Sequence, residues 1–166
     1  ALINTSSIFG MIVVERQSVY HTAKFAVRGF TESLAKEFKG SSMQIHCVHP
    51  GHIGTNILGN ARINKSEESA NAFQRLVGKL VGLNDDQEAM AEFFQKNGMH
   101  PSRAAQVMLN GVLKKRSRIL VGTDAKLMDL CQRLTPMHYE TLFPLFMLPL
   151  TLLRNKKPLK GLPSIS

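Results

Sequence analysis

The chain has 166 residues, enough for one domain with a single hydrophobic core. Apolar residues make up 43% of it and charged residues 20%, which excludes a disordered, collagen-like or disulfide-stapled protein. The two cysteines, Cys47 and Cys131, are far apart in sequence and indicate neither a disulfide framework nor a zinc site. A reducing compartment, the cytoplasm, is therefore the expected location.

Positive charge is concentrated in the last third of the chain. Of the net charge of +9, residues 101–166 carry +8, residues 1–50 carry +2 and residues 51–100 carry −1. An anionic partner of that local region fits this pattern better than nucleic acid bound by the whole domain. Lysines at helix ends and a solvated tail explain the same charge without any partner.

The first fifty residues have the pattern of a strand, a helix and a second strand. Residues 1–4 are predicted to end a buried parallel strand, and residues 43–49 to form the next strand before a Pro-Gly turn. Apolar residues at three- and four-residue steps predict a helix from about Ser18, which Gly40 stops. Its apolar face is predicted to consist of Ala23, Val27, Phe30, Leu34 and Phe38.

A second strand–helix–strand arrangement follows after residue 100. Pro101 is a favourable first-turn residue and opens a helix, and residues 118–121 form a third strand. Asp124 is predicted to cap a last helix at 125–134. The apolar face of the helix after Pro101 is predicted to consist of Ala105, Met108, Leu109 and Val112. Together these elements predict an α/β fold with a doubly wound parallel sheet.

Residues 56–100 are predicted to form a helical cap over a strand end. Two amphipathic stretches, at about 67–81 and 85–96, indicate its helices. The apolar stripe of the second one contains Met90, Phe93 and Phe94. A lipid- or steroid-like substrate is one interpretation of this stripe, and core packing of a small helix is the other.

Residues 1–138 are predicted to form the domain, and residues 139–166 an apolar and then basic tail. The apolar run at 142–153 is shorter than a membrane-spanning helix requires and contains two prolines. Peripheral contact of residues 142–160 with an anionic membrane surface is one interpretation. Packing over the ligand cleft or against a second subunit is the other, and it is the one we favour.

The strongest chemical signal is Tyr20-His21-Thr22-Ala23-Lys24. Residues four apart share one face of a helix, so the lysine ammonium lies beside the phenol. An ammonium there stabilises the phenolate, and such a tyrosine can give or take a proton at an alcohol or carbonyl oxygen. Ser7 precedes Tyr20 by thirteen positions and follows a strand, where ligands of parallel sheets bind.

Three motifs in this order resemble the short-chain dehydrogenase/reductase family. They are Asn-x-Ser-Ser-x-x-Gly at residues 4–10, Tyr-x-x-x-Lys at 20–24 and Pro-Gly-x-x-x-Thr at 50–55. The resemblance covers residues 1–55 closely and residues 100–122 more loosely. It implies a Rossmann-like sheet, of which this chain holds the last three strands with flanking helices.

The resemblance also implies a reaction, the reversible transfer of a hydride between NAD or NADP and an alcohol or carbonyl substrate. Tyr20 is then the general acid/base, assisted by Lys24, and Ser7 polarises the substrate oxygen. The loop after the second strand contacts the nicotinamide carboxamide through the Ile53 backbone and the Thr55 side chain. The residues implied to bind the cofactor are Tyr20, Lys24, Pro50, Gly51, Ile53 and Thr55.

The sequence departs from the family in one respect, because it contains no glycine-rich turn for the cofactor pyrophosphate. A parallel strand at residue 1 also requires neighbouring strands. We therefore expect the domain to begin upstream of Ala1 and this chain to be inactive by itself. The alternative is a non-catalytic role in subunit association, through the helix at 18–39, or in membrane contact. The family's habit of forming dimers or tetramers implies a homo-oligomer.

The histidines are not expected to bind metal. His46, His49 and His52 recur every three residues, but side chains three apart on a strand point to opposite faces. We expect one histidine to be buried in the strand and two to lie in the loop. His52, one of the loop histidines, is a candidate ligand contact. His21 is expected to face another helix or solvent, and Phe9 either lines the substrate site or packs in the core.

Overall fold

The computed structural model describes residues 1–15, 17–57 and 95–139. Its elements are β1 Leu2–Thr5, α1 Ser18–Glu37, β2 Ile45–Pro50, α2 Pro101–Leu113, β3 Arg118–Val121 and α3 Thr123–Leu134, with a 3-10 turn at Ile8–Gly10. No helix in these ranges has the length and apolar character that a membrane span requires. The helix predicted at 67–81, nearly all of that at 85–96 and the tail at 142–160 lie outside the described residues.

The three strands form one parallel sheet in the order β1-β2-β3. The register places Asn4, Cys47 and Arg118 in one row across the sheet. This arrangement confirms the predicted α/β class, and it brings the carboxyl ends of all three strands to the same edge.

The prediction that β1 is buried is wrong. Leu2 is 37% exposed and Ile3 is 44% exposed, whereas the residues of β2 from Ile45 to His49 are buried. In the described part of the chain, β1 pairs with β2 alone and lies at the edge of the sheet. The apolar side chains of Leu2 and Ile3 therefore remain accessible in the part of the chain that the structure describes.

One face of the sheet is apolar and packs against α2. Val48, Ile119 and Val121 form this face, together with the buried Ala104 of α2. Burial of these side chains supplies the apolar driving force on this side of the sheet.

Helix α2 begins at Pro101, as predicted, but its predicted apolar face is only partly right. Met108 packs on the core, whereas Leu109 is exposed. Ala105 is exposed as well, and Val112 packs on the core. The buried side of α2 runs through Ala104 and Gly111, because small residues let the helix approach the sheet most closely.

The opposite face of the sheet carries polar side chains beside the buried Ile45 and Cys47. Asn4 Nδ2 donates to Thr31 Oγ1 of α1 at 3.0 Å. Arg118 of β3 forms ion pairs with Glu32 of α1 and, at 3.1 Å, with Asp129 of α3. Hydrogen bonds and ion pairs therefore hold α1 and α3 on this face, a feature that the sequence pattern did not predict.

Arg28 extends this polar layer toward the turn after β1. Its guanidinium donates to the Gly10 carbonyl at 3.2 Å and to Glu32 at 3.2 Å. Burial by itself would raise the pKa of the Glu32 carboxyl, but Arg118 and Arg28 together hold that pKa below its ordinary value. Glu32 is thus charged in the native state and links two arginines from different elements.

The polar layer also explains why the predicted apolar face of α1 is only partly right. Phe30 is 61% exposed and Ala23 is exposed, whereas His21 and Thr31 are buried. Val27 and Leu34 of the predicted face are half-buried, whereas Phe38 is exposed like Phe30 and Ala23, because α1 also turns polar residues toward the polar groups on which it packs. The predicted stop is confirmed, because α1 ends at Glu37 and Gly40 follows with a φ of +91°.

The predicted cap of α3 is wrong. The residue at the N-cap position is Gly122, whose φ is +111°, and α3 begins at Thr123. Asp124 lies in the first turn, and its carboxylate accepts a hydrogen bond from the backbone of His52 in the loop after β2. The Asp124 side chain therefore does not cap its own helix, as the sequence suggested, but binds a backbone N–H from a distant part of the chain.

His49 is fully buried in β2 and faces the segment after β1. Its Nδ1–H donates to the Ser7 carbonyl at 3.0 Å, and its Nε2 has no hydrogen-bond partner among the described residues. Burial lowers the pKa of the His49 imidazole, and the bond to Ser7 offsets part of that effect. Two of the three histidines, His46 and His49, thus lie in β2, where one strand histidine was expected.

Substitution of Gly111 by alanine should destabilise the fold. An added Cβ would lie 2.7–2.8 Å from the Ile119 side chain, so Gly111→Ala is expected to cost about 1–3 kcal/mol of unfolding free energy in urea denaturation. Gly29→Ala in α1 is the matched control, because nothing lies within 4 Å of its added Cβ. It should gain roughly 0.5–1 kcal/mol from helix propensity. Equal effects of the two substitutions would contradict the close approach of α2.

The native state should lose stability as the pH falls below the ordinary histidine pKa of about 6.5. Because the native pKa of His49 is lowered, the unfolded chain binds a proton in that range before the native chain does. The expected slope is up to about 1.4 kcal/mol per pH unit, measured by urea denaturation between pH 7.5 and 5.5. His49→Gln should reduce the slope, and an unchanged slope in that variant would show that another group is responsible.

Candidate active site

The candidate site lies at the edge where the three parallel strands end. Beyond β1, the Ser6 N–H donates to the Val48 carbonyl at 2.8 Å. Beyond β2, the Gly51 N–H donates to the Val121 carbonyl at 2.8 Å. These bonds align the segments after β1 and β2 with their neighbouring strands. Ligands of parallel α/β sheets bind at this edge, and the predicted site residues lie around it.

The first turns of α1 approach the turn after β1 very closely at Gly10. A Cβ on Gly10 would lie 2.2 Å from Ser6 Oγ and 2.8 Å from the Lys24 carbonyl oxygen. The Ser6 hydroxyl donates to the same carbonyl at 2.8 Å. Only glycine permits this approach, so Gly10 and Ser6 fix the position of Lys24 relative to β1.

Tyr20 and Lys24 lie side by side on one face of α1. Lys24 Nζ is 5.6 Å from the centroid of the Tyr20 ring and donates to the Thr5 carbonyl at 3.2 Å. Tyr20 is 42% exposed, so solvent and ligands can reach it. The cation over the ring contributes about 0.5–1 kcal/mol at such a site. The predicted pairing is thus present in the structure, and the catalytic roles of the two residues stay predictions.

Ser7 is buried at the start of the 3-10 turn. Its Oγ accepts the Phe9 N–H at 3.2 Å, and its hydroxyl proton has no acceptor among the residues that the structure describes. Its carbonyl is held by His49, as described above. Ser6, by contrast, donates its proton to Lys24 and serves to hold α1. The two adjacent serines therefore have different hydrogen-bond states, and the catalytic role of Ser7 stays a prediction.

His21 and Phe9 support this site in a way that the sequence did not reveal. His21 is buried, so of the two expected surroundings solvent is wrong, and the ring packs on the 3-10 turn at Ile8–Gly10. Its Nδ1 lies 3.0 Å from the Phe9 carbonyl oxygen, and its Nε2 lies 3.0 Å from the Val14 nitrogen and 3.1 Å from the Val14 carbonyl oxygen. The Phe9 ring packs edge-on against Tyr20, with centroids 6.2 Å apart. Phe9 therefore borders the Tyr20 ring.

The loop after β2 is held by residues from far along the chain. The Met99 N–H donates to the His52 carbonyl and the Gly54 N–H donates to the Met99 carbonyl, each at 3.0 Å. Ile53 lies between these contacts in a parallel bridge with Met99, so its own N–H points to the other side. The Ile53 carbonyl accepts the Thr55 N–H at 2.8 Å, and the Thr55 side chain is exposed.

The hydrogen-bond donors at this edge fit the nicotinamide end of a dinucleotide. Lys24 has three N–H donors, of which one serves Thr5, so two remain for ribose hydroxyls. The Ile53 N–H and the Thr55 hydroxyl are donors of the kind that a carboxamide oxygen accepts. Pro50 ends β2, and Gly51 continues its pairing to β3.

The three histidines of the second strand and its loop do not converge. His46 Nδ1–H donates to the Arg116 carbonyl at 2.7 Å on one face of β2, and His49 lies on the other face. Within residues 1–15, 17–57 and 95–139, no three metal-ligating side chains are grouped closely enough to hold an ion.

Comparison with known proteins places these motifs in one family. The family model described as short chain dehydrogenase matches residues 1–66. The Mycobacterium tuberculosis protein named "Putative oxidoreductase SadH" is 38% identical over 145 residues, which are 85% of this chain and 46% of SadH. The 3-ketodihydrosphingosine reductase of Bacteroides thetaiotaomicron is 30% identical over 118 residues, which are 69% of this chain and 40% of that protein. The chain spans less than half the length of these curated relatives.

A solved structure shares the fold. The short chain dehydrogenase/reductase from Burkholderia phymatum, in complex with NAD, matches with a TM-score of 0.58 at 15% identity, over 98% of this chain and 51% of that one. At this identity the likeness shows a common fold, the Rossmann-like parallel sheet with flanking helices. Taken with the sequence matches and the three motifs, it means that the chain belongs to the short-chain dehydrogenase/reductase family.

Proposed function

We propose that the protein is an NAD(P)-dependent oxidoreductase that interconverts an alcohol and a carbonyl compound. The observation that carries the proposal is the Lys24 ammonium, 5.6 Å from the centroid of a partly exposed Tyr20 ring at the ligand-binding edge. Membership of the family and the name of the SadH relative support this class of reaction.

Tyr20 is the proposed general acid/base. In reduction it gives its proton to the carbonyl oxygen of the substrate, and in oxidation it takes the proton of the alcohol. The phenolate that remains after proton donation is stabilised by the charge of Lys24. Lys24 also donates to a neutral backbone carbonyl, that of Thr5, and it forms no ion pair with any residue that the structure describes.

Ser7 is the proposed donor to the substrate oxygen. Its available hydroxyl proton stabilises negative charge that develops on that oxygen as the carbonyl bond breaks. The bond from His49 to the Ser7 carbonyl restrains the backbone that carries this hydroxyl. Ser6 is unsuited to the role, because its proton is engaged by the Lys24 carbonyl.

NAD or NADP is the proposed cofactor, and its nicotinamide supplies or accepts the hydride when bound. Lys24 and Tyr20 would contact its ribose side, and the Ile53 N–H and the Thr55 hydroxyl its carboxamide. The sequence has no glycine-rich turn for the pyrophosphate. We therefore expect no turnover from the 166-residue chain by itself.

A lipophilic alcohol or ketone is the proposed substrate class. The Bacteroides thetaiotaomicron relative is, by its name, a reductase of 3-ketodihydrosphingosine. The apolar ring of Phe9 beside Tyr20 suits such a substrate.

Homo-oligomer formation, a cytoplasmic location and contact of residues 142–160 with a membrane surface stay predictions. Sedimentation equilibrium, cell fractionation and co-sedimentation with anionic liposomes measure them.

The test joins this chain to the amino-terminal half of SadH from Mycobacterium tuberculosis, of which the chain matches 46%. In that hybrid, Tyr20→Phe is expected to lower kcat on a panel of lipophilic secondary alcohols by about 10²–10⁴-fold. NADH affinity should fall far less than kcat, because the substitution removes one hydroxyl contact to the ribose and keeps the ring and Lys24. Turnover by initial rates and NADH binding by fluorescence are measured on the same preparation.

Tyr139→Phe is the matched control for this substitution. Tyr139 is the other tyrosine of the chain, and its hydroxyl accepts the Val13 N–H at 2.9 Å. Its loss should leave turnover close to that of the unsubstituted hybrid. Full activity of Tyr20→Phe, or an equal loss in both variants, would contradict the proposed function.

A further inference from the structure

The Asp124 carboxylate contacts the loop that leaves β2. Its Oδ2 accepts the His52 N–H at 2.5 Å, across 72 positions of sequence. A Cβ on the preceding Gly51 would lie 2.2–2.4 Å from the carboxylate atoms, so the carboxylate packs directly on the Gly51 α-carbon. One side chain of α3 therefore fixes two consecutive residues of the loop.

The other side of the same loop is fixed by residues 98–99. The hydrogen bonds of Met99 flank Ile53, and a Cβ on Gly98 would lie 2.3 Å from the Gly54 nitrogen. The loop is thus held between α3 on one side and this segment on the other. Held in this way, the Ile53 N–H has a defined direction without any bound ligand.

We propose that Asp124 is a positioning residue for the nicotinamide-contacting loop. By holding His52 and Gly51, it sets the direction of the Ile53 N–H and the Thr55 hydroxyl that receive the carboxamide. Asp124 acts through the loop and itself touches neither substrate nor cofactor. The inference rests on the proposed function, which assigns that ligand to the loop, and it adds a residue outside the three sequence motifs.

A purely structural role of Asp124 must be separated from this one. A carboxylate in the first turn also stabilises a helix through the helix dipole. Asp124→Asn removes the charge and keeps a carbonyl acceptor for the His52 N–H, whereas Asp124→Ala removes both. The difference between the two variants therefore reports the hydrogen bond to the loop.

The test uses the 166-residue chain and nicotinamide mononucleotide, a ligand that requires no pyrophosphate cradle. In NMR titrations the wild-type chain should show saturable shifts at the amides of residues 51–55, and adenosine monophosphate should cause none. Asp124→Ala should weaken the binding of nicotinamide mononucleotide about tenfold, as expected for one lost hydrogen bond to a charged group, and should speed amide exchange at His52. Asp124→Asn should remain within about threefold of the wild-type affinity.

Asp129→Asn is the control for general weakening of α3. It removes another carboxylate of the same helix, one that binds Arg118 and Arg133, and it should lower the Tm without changing the affinity for nicotinamide mononucleotide. If Asp124→Ala fails to fold, the test rests on Asp124→Asn. Retained affinity of that variant for nicotinamide mononucleotide supports the inference, and lost affinity with α3 still folded contradicts it.

The two proposals fail in distinguishable ways. If Asp124→Ala folds and binds nicotinamide mononucleotide as the wild type does, the inference is wrong and the proposed function stands. If the wild-type chain shows no shifts with nicotinamide mononucleotide, the assignment of this loop to the nicotinamide is wrong and the inference falls with it, whereas the proposed reaction is decided by turnover of Tyr20→Phe in the hybrid.

Discussion

The site depends on the close approach of α1 to the turn after β1. At Gly10 there is no room for a side chain, because the Lys24 carbonyl and the Ser6 hydroxyl occupy that space and bond to each other. This contact sets the height of α1 along β1, and with it the position of the Lys24 ammonium beside the Thr5 carbonyl and the Tyr20 ring. The Tyr-x-x-x-Lys motif supplies the phenol and the ammonium, and Gly10 allows α1 to lie where both face the end of β1.

The polar layer between the sheet and α1 holds the rest of that helix in place. Asn4 bonds to Thr31, and Arg118 joins Glu32 to Asp129, so α1, β3 and α3 form one network. Removal of one partner from such a partly buried network leaves an uncompensated charge, which costs more than the pair itself contributes. Apolar packing against α2 supplies the driving force on the other face. The helix that carries the candidate acid/base is therefore positioned by directional contacts.

Local patterns in the sequence predicted the strands and helices. Which side of each helix is buried, and which residues its side chains contact, depends on long-range contacts. The parallel strands, the helix start at Pro101 and the bounds of β3 all follow from motif order, turn residues and periodicity. The inward side of α1 could not be predicted from apolar spacing, since that helix packs on polar groups. His49 and Asp124 find their partners 42 and 72 positions away, and no local pattern contains that information. The three-motif spacing located the candidate site but not the side chains that support it.

The most direct measurement is of the contact between Lys24 and Tyr20 in solution. Nuclear Overhauser effects between the Lys24 side-chain methylenes and the Tyr20 ring can be compared in the wild-type chain and in Gly10→Ala. The account predicts these effects in the wild type and their loss in Gly10→Ala, because the added methyl group displaces α1 from the turn. Effects between Val48 and Ile119 should persist in both, since that pairing lies within the sheet. Identical Lys24–Tyr20 nuclear Overhauser effects in the two proteins, or none in the wild type, would contradict the role of Gly10 in positioning α1.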